Sequence, residues 1–446
     1  MKPAKKVLSA SLLIGFIGLS GGVLLWMVRS NKSVLSENLL PIAVNRVPGS
    51  ADERINTAQR SIEQNPSRAE GYNMLAAAFM QKARETSDFG FNARAAAALR
   101  RALEVDPGNY DAIKLQAKLL LSYHHFREAL IEARKAQELR PDDHDNYGAI
   151  TDALVELGDY EGAVDAAQKM VDLRPDSASY ARVSYLRSLY GDQSGAIAAM
   201  RVAVKAANPN DPEGAAWCRV HLGNELMSAG RKPEAEREYD NALAIFPEYP
   251  LALAAKARAR ISAGDLQKAV ELYERAQNRV PLPDNAIALG DLYEKLGRTA
   301  DAAREYELVN FVERDTTAGN TYSRQLAMFW ADHDERLPEA LVIAERERAN
   351  RQDIYTCDAL AWILFKSNRV DEAKKAINEA LRLNTRDARL FYHAGMIYKA
   401  CGESRKASEY LTEALKINPD FDLLQSERAR QSLLELRSVQ NRSRVS

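Results

Sequence analysis

From about Ser50 onward the apolar residues recur three and four positions apart, as on one face of an α-helix. In "ALGDLYEKLGR", Ala288 to Arg298, that spacing is kept by Leu289, Leu292, Tyr293 and Leu296, and it is interrupted by Gly290 and Gly297. A glycine in a helix interior costs about 1 kcal/mol against alanine, so both need a reason. A phosphate loop is one. However, no strand pattern precedes these glycines, and the chain has no G-x-x-x-x-G-K-[ST].

The pattern itself supplies the other reason. Pro107, Pro141, Pro175 and Pro209 lie 34 residues apart, as do Pro247 and Pro281. Alanines keep the same beat at Ala95, Ala129, Ala163, Ala196, Ala235, Ala269, Ala302, Ala340, Ala373 and Ala407. A small residue falls twelve positions before nearly every beat: Ala117, Thr151, Ser184, Gly223, Ala257, Gly290, Ala361 and Gly395. Small residues at two such positions let antiparallel helices approach closely. Between them stands a turn glycine that ends the first helix, at Gly158, Gly191, Gly230, Gly264, Gly297 and Gly402. Each unit therefore reads as helix, tight turn, helix and a proline-marked exit. Gly290 is a packing residue and Gly297 a helix stop.

These units resemble the tetratricopeptide repeat family, whose pattern is W-x2-L-G-x2-Y, then A-x3-F, then P. Leu289-Gly290-x2-Tyr293 with Ala302-x3-Tyr306 carries the resemblance. So does Leu222-Gly223-x2-Leu226 with Ala235-x3-Tyr239 and Pro247, and so does Phe391, Ala394-Gly395-x2-Tyr398 with Ala407 and Pro419. Departures are local. Seven extra residues are expected in the loop "ETSDFGF", and Met328 stands where a small residue is expected. The implied fold is all-α: a right-handed superhelical solenoid of about ten helix-turn-helix repeats with a C-terminal capping helix, preceded by one transmembrane helix.

The span 7–28, "VLSASLLIGFIGLSGGVLLWMV", carries no charge and follows the basic segment 1–6. At about 1.5 Å per residue it is long enough for a ~30 Å hydrocarbon layer. It is read as a signal anchor. The alternative is a cleaved secretory signal, although the apolar part of such signals is shorter. Behind it come a tether at 29–50, a leading helix at 51–68, the repeat array at 69–420, a capping helix at 421–437 and a disordered basic tail at 438–446. The lysines before the span weakly favour a cytoplasmic amino terminus. The expected location is a single-pass protein of a bacterial inner membrane with its repeats in the periplasm, or a secreted or periplasmic protein if the signal is cleaved.

Composition narrows the function. The 61 basic and 62 acidic residues nearly cancel, so no nucleic-acid partner is expected. Cys218, Cys357 and Cys401 are scattered and read as small buried hydrophobes. His124, His125 and His144 do not converge as metal ligands would, and neither H-E-x-x-H nor G-x-S-x-G occurs. The chain is not expected to be an enzyme, to take a cofactor or metal, or to bind a small-molecule substrate.

The resemblance implies a concave groove lined by the first helix of each unit and holding a protein or peptide partner. In the last two full units the register places Tyr355, Asp358, Trp362 and Phe365, then Tyr392 and Met396, on that face as partner anchors. The other reading of Trp362 and Phe365 is filler between units. Lys114 and Lys118 match part of a chaperone-tail clamp, but the next unit supplies Gly148, Ala149 and Asp152 and no asparagine. The expected function is a membrane-anchored scaffold in envelope or complex assembly. The alternative is a regulatory subunit of a glycan-synthesis or export machinery whose catalysis lies in another chain.

Overall fold

The structure is a computed structural model describing residues 50–315 and 323–445. The basic segment, the apolar span at 7–28 and all but the last residue of the tether lie outside the described residues. Among the described residues no helix is long and apolar enough to cross a membrane. The described residues lie in one compact unit.

The described residues fold into 22 α-helices and no strand. A leading helix, α1 (Ala51–Gln64), opens with a reciprocal cap. Ser50 Oγ accepts from the Glu53 amide at 3.3 Å, and the Glu53 carboxylate accepts from the Ser50 amide at 2.9 Å. Ten antiparallel pairs follow. They begin with α2 (Ala69–Thr86) and α3 (Phe91–Val105), α4 (Tyr110–Ser122) and α5 (Phe126–Leu139), and α6 (His144–Glu156) and α7 (Tyr160–Leu173). Next come α8 (Ser177–Leu189) and α9 (Gln193–Ala206), α10 (Pro212–Ser228) and α11 (Lys232–Ile245), and α12 (Pro250–Ser262) and α13 (Leu266–Arg279). The last four are α14 (Pro283–Lys295) and α15 (Thr299–Asp315), α16 (Ser323–Asp332) and α17 (Leu337–Asn350), α18 (Ile354–Lys366) and α19 (Val370–Ala380), and α20 (Ala388–Ala400) and α21 (Ser404–Ile417). Helix α22 (Gln425–Val445) closes the array.

The beat alanines are the closest points of these pairs. All ten, from Ala95 to Ala407, are at most 1% exposed. The small residues opposite them leave room for second-helix side chains. A Cβ on Gly290 would stand 2.2 Å from the Tyr306 ring, and one on Gly223 would stand 2.3 Å from the Tyr239 ring. Those rings lie on bare backbone, which explains two glycines in helix interiors. Single pairs cannot bury both faces, so each stacks on its neighbours.

Three expectations need correcting. Met328 is not at the small position of its unit. The left-handed turn residue there is Asp334 (φ 59°), and Ala340 follows it by six residues, where Ala302 follows Gly297 (φ 74°) by five. One extra turn residue shifts the register, so the small position falls on Ala327, which is 1% exposed. Second, the added residues of the first unit are not all loop. Helix α2 takes "ET" and runs to Thr86 before the left-handed Ser87. Third, the last helix starts at Gln425 and continues to Val445 through the segment expected to be disordered. No glycine or proline follows Gln425 to stop it. Its leucines also divide: Leu433 and Leu436 are buried, whereas Leu434 is 66% exposed.

Candidate groove site

The first helices α4, α6 and α8 stand side by side and bound a cavity of about 250 Å³. It is lined by Leu121, Thr151, Asp152, Glu156, Arg182 and Tyr185, among others. A second cavity of about 230 Å³ shares His124 and Phe126 with it and is closed on the far side by Glu347, Asn350 and Arg351. Residues more than 200 positions apart in sequence therefore face one another across a lumen.

The lumen wall is polar and internally paired. Arg182 bridges to Asp152 at 2.6 Å, joining α8 to α6. Lys118 meets Asp145 at 3.0 Å, and Lys114 meets Asp143 at 3.0 Å. Burial raises the Asp145 pKa, but Lys118 and Lys114 outweigh it and hold the carboxyl below the usual range. Glu156 goes the other way. Burial and the Asp353 carboxylate, opposed by Arg351 and Arg324, push it up to about 7. His124 is held down at about 4 by burial, helped by Arg351, Arg324 and His125. His221 is held at about 4 by burial and Arg258, and its ring lies 3.8 Å from that of Trp217. Both imidazoles are neutral at physiological pH. Tyr185 is an exposed aromatic of the cavity wall, at 43%, although the surrounding protein desolvates its phenol and raises its pKa, with Glu156 and Asp353 adding to the rise.

At the other end the expected anchors divide. Tyr355, Phe365 and Met396 are half-buried. Tyr355 faces the earlier winding: burial raises its phenol pKa, and the Asp387 and Glu225 carboxylates add to the rise. Trp362 and Tyr392 are each 1% exposed and Asp358 is 6% exposed, so the expectation that they stand open to a partner is corrected. Their register faces the groove side, but neighbouring units fill the space. The Trp362 indole donates to Asp332 Oδ1 at 2.8 Å, and its ring stacks on His393 at 4.3 Å. His393 Nδ1 lies 2.9 Å from Asp358 Oδ1. Tyr392 packs on Phe421, with ring centroids 5.3 Å apart. Gln425 of α22 also hydrogen-bonds Asp332. Burial raises the Asp332 pKa. Phe365 leans on Trp362 at 5.2 Å. Of the three cysteines, Cys218 and Cys357 are buried and Cys401 is partly exposed.

Asp332 was invisible as a partner from spacing alone. The signal was available, however: a buried indole N–H needs an acceptor, and Asp332 lies 30 residues before Trp362, close to one repeat length. Tyr185 and Arg324 are groove residues that the sequence pattern did not single out. Arg324 donates to Thr356 Oγ1 at 3.2 Å and lies 3.5 Å from Asp353, tying α16 to α18.

Models of the tetratricopeptide repeat match residues 149–212 and 221–286, and again 354–387 and 388–421. No curated protein matches the chain in sequence. Among solved structures, the human IFIT1 dimer with PPP-AAAA is 16% identical over 75% of this chain and 77% of that one, with a TM-score of 0.44. PilW, titled a widely conserved type IV pilus biogenesis factor, is 20% identical over 44% of this chain and 90% of its own, with a TM-score of 0.38. The TPR domain of P58(IPK) is 14% identical over 75% and 99%, with a TM-score of 0.24. The helix pairs, the buried alanine beat and the matched spans agree: this chain is a solenoid carrying tetratricopeptide repeats.

Proposed function

We propose that the chain is a membrane-anchored scaffold that holds a protein or peptide partner against the first-helix wall of its lumen, and that it contributes no catalysis of its own. The observation that carries this reading is Tyr185. An aromatic side chain 43% exposed on a concave wall, beside a cavity of about 250 Å³, is the kind of group that anchors an interface. Elsewhere most apolar side chains of the first helices turn into the stacking of units; Met74 on α2 and Leu251 on α12 are also exposed, at 40% and 37%, but neither is aromatic and neither lines this cavity. The anchor is the uncharged run at 7–28, seated in a bacterial inner membrane, and the repeats lie in the periplasm. An assembly role for envelope components fits this arrangement.

Two results test it. Protease added to sealed cells with a permeabilised outer layer should digest the repeats, and complete protection would refute the exported orientation. Full-length protein purified from its native membrane should carry a partner that Tyr185→Glu releases, with weakening of about 2 kcal/mol or more. Helix content should be unchanged. Full retention by the variant would remove Tyr185 from the interface.

A further inference from the structure

Four successive inter-helix turns on one edge of the solenoid dock on unit exits much further along the chain. At the α4/α5 turn, Arg127 donates to the Ala349 carbonyl at 3.2 Å, and Arg351 lies over the Phe126 ring at 5.4 Å. At the α6/α7 turn, the Gln352 amide donates to the Glu156 carbonyl at 2.9 Å. Beside it the Ile354 amide donates to Tyr160 Oη at 2.9 Å, and Arg351 Nη1 lies 3.3 Å from Glu156. At the α8/α9 turn, Thr385 Oγ1 donates to the Leu189 carbonyl. At the α10/α11 turn, Lys232 lies 3.8 Å from Asp420. The central contacts join residues 194 and 196 apart.

Two glycines show how close this approach is. A Cβ on Gly158 would lie 2.7 Å from the Gln352 carbonyl oxygen, and one on Gly191 would lie 2.7 Å from that of Asn384. Both have positive φ, as do Gly264 and Gly297, where an added Cβ meets nothing within 4 Å. The same turn conformation is thus used twice against another winding and four times against open space, at Gly230, Gly264, Gly297 and Gly402, so the close approach is confined to the α6/α7 and α8/α9 turns.

We propose that this seam is a latch: it holds the earlier and later windings together, closes the lumen on that side, and releases when a protein or peptide partner takes its place against the first helices. The inference rests on the scaffold reading above for what enters. The chemistry suits release. Most of the contacts are hydrogen bonds and ion pairs, which exchange for water at small net cost; Arg351 over Phe126 and Arg382 over Tyr160 add two cation–π contacts. The large apolar clusters run along the windings, one from Tyr180 to Ala259 and another from Ala286 to Leu436. Releasing the seam leaves those intact, as a sub-global opening requires.

The test reads the seam without any partner, so its failure is separate from failure of the scaffold reading. Site-resolved hydrogen exchange of the full chain should show the Gln352 and Ile354 amides protected. In Tyr160→Phe the Ile354 amide should exchange roughly tenfold faster or more, since a buried donor loses its acceptor. Gly158→Ala with Gly191→Ala should deprotect residues 350–355 and 382–386 together and expose them to protease. Gly264→Ala with Gly297→Ala carries the same left-handed strain without the collision, and should leave both segments protected. The latch is overturned if the two glycine pairs behave alike, or if the Ile354 amide of the unaltered protein exchanges at the rate of an open turn.

Discussion

Ala302→Glu should melt the middle of the array. Ala302 is 1% exposed and packs in a cluster with Leu289, Leu292 and Tyr293. Those residues belong to α14, the partner of the helix that carries Ala302. A glutamate there would place its carboxylate among closely packed apolar side chains. Burying an unpaired charge costs several kcal/mol, against a whole-domain stability of about 5–15 kcal/mol. Because the unit that carries Ala302 packs chiefly on its neighbours in sequence, the loss should begin locally. Thermal melting of the full chain should shift down steeply. Limited proteolysis should cut first between Pro283 and Asp315. An unchanged melting curve would mean that the alanine beat does not mark the helix–helix contact.

Trp362→Ala has the second large expected effect. The ring is 1% exposed, stacks on His393 and donates to Asp332. Truncating a buried tryptophan costs about 3–5 kcal/mol. Here it also strips one donor from a buried carboxylate, which adds to the loss. A urea titration should show the midpoint falling well below that of the unaltered protein. Trp362→Phe should recover part of the packing but none of the hydrogen bond. If Trp362→Ala instead unfolds normally, the side chain is a surface anchor after all.

The two substitutions mark how far the sequence carries. The alanine beat made Ala302 legible because it repeats: a small residue every 33 to 39 positions is a statement about helix approach, independent of what lies further away. The degenerate unit shows the limit of that reasoning. One added residue in the turn at Asp334 moved the small position from Met328 to Ala327, and a spacing rule anchored on the beat alone carries such an error across the turn. The openness expected at Asp358, Trp362 and Tyr392 is absent for a different reason. Tyr355, Trp362 and Tyr392 do sit at groove-facing register, but whether that face is open depends on neighbouring units, on Phe421, which packs on Tyr392, and on Gln425, which hydrogen-bonds the Asp332 that holds the Trp362 indole. Those contacts are set by the superhelical path, which a single unit's pattern does not encode. The seam was hidden for the same cause. Nothing local distinguishes Gly158 and Gly191 from Gly264 and Gly297, yet only the first pair meets another winding.

The central claim is that a partner seats on the inner wall formed by the first helices. A photo-reactive amino acid placed at Tyr185 on α8, and separately at Val342 on the second helix α17, tests it most directly. Both positions are exposed, at 43% and 65%, so reach to solvent does not distinguish them. Irradiation in the native membrane should join a partner to the chain from Tyr185 and not from Val342. A partner captured from Val342 with nothing captured from Tyr185 would contradict the account.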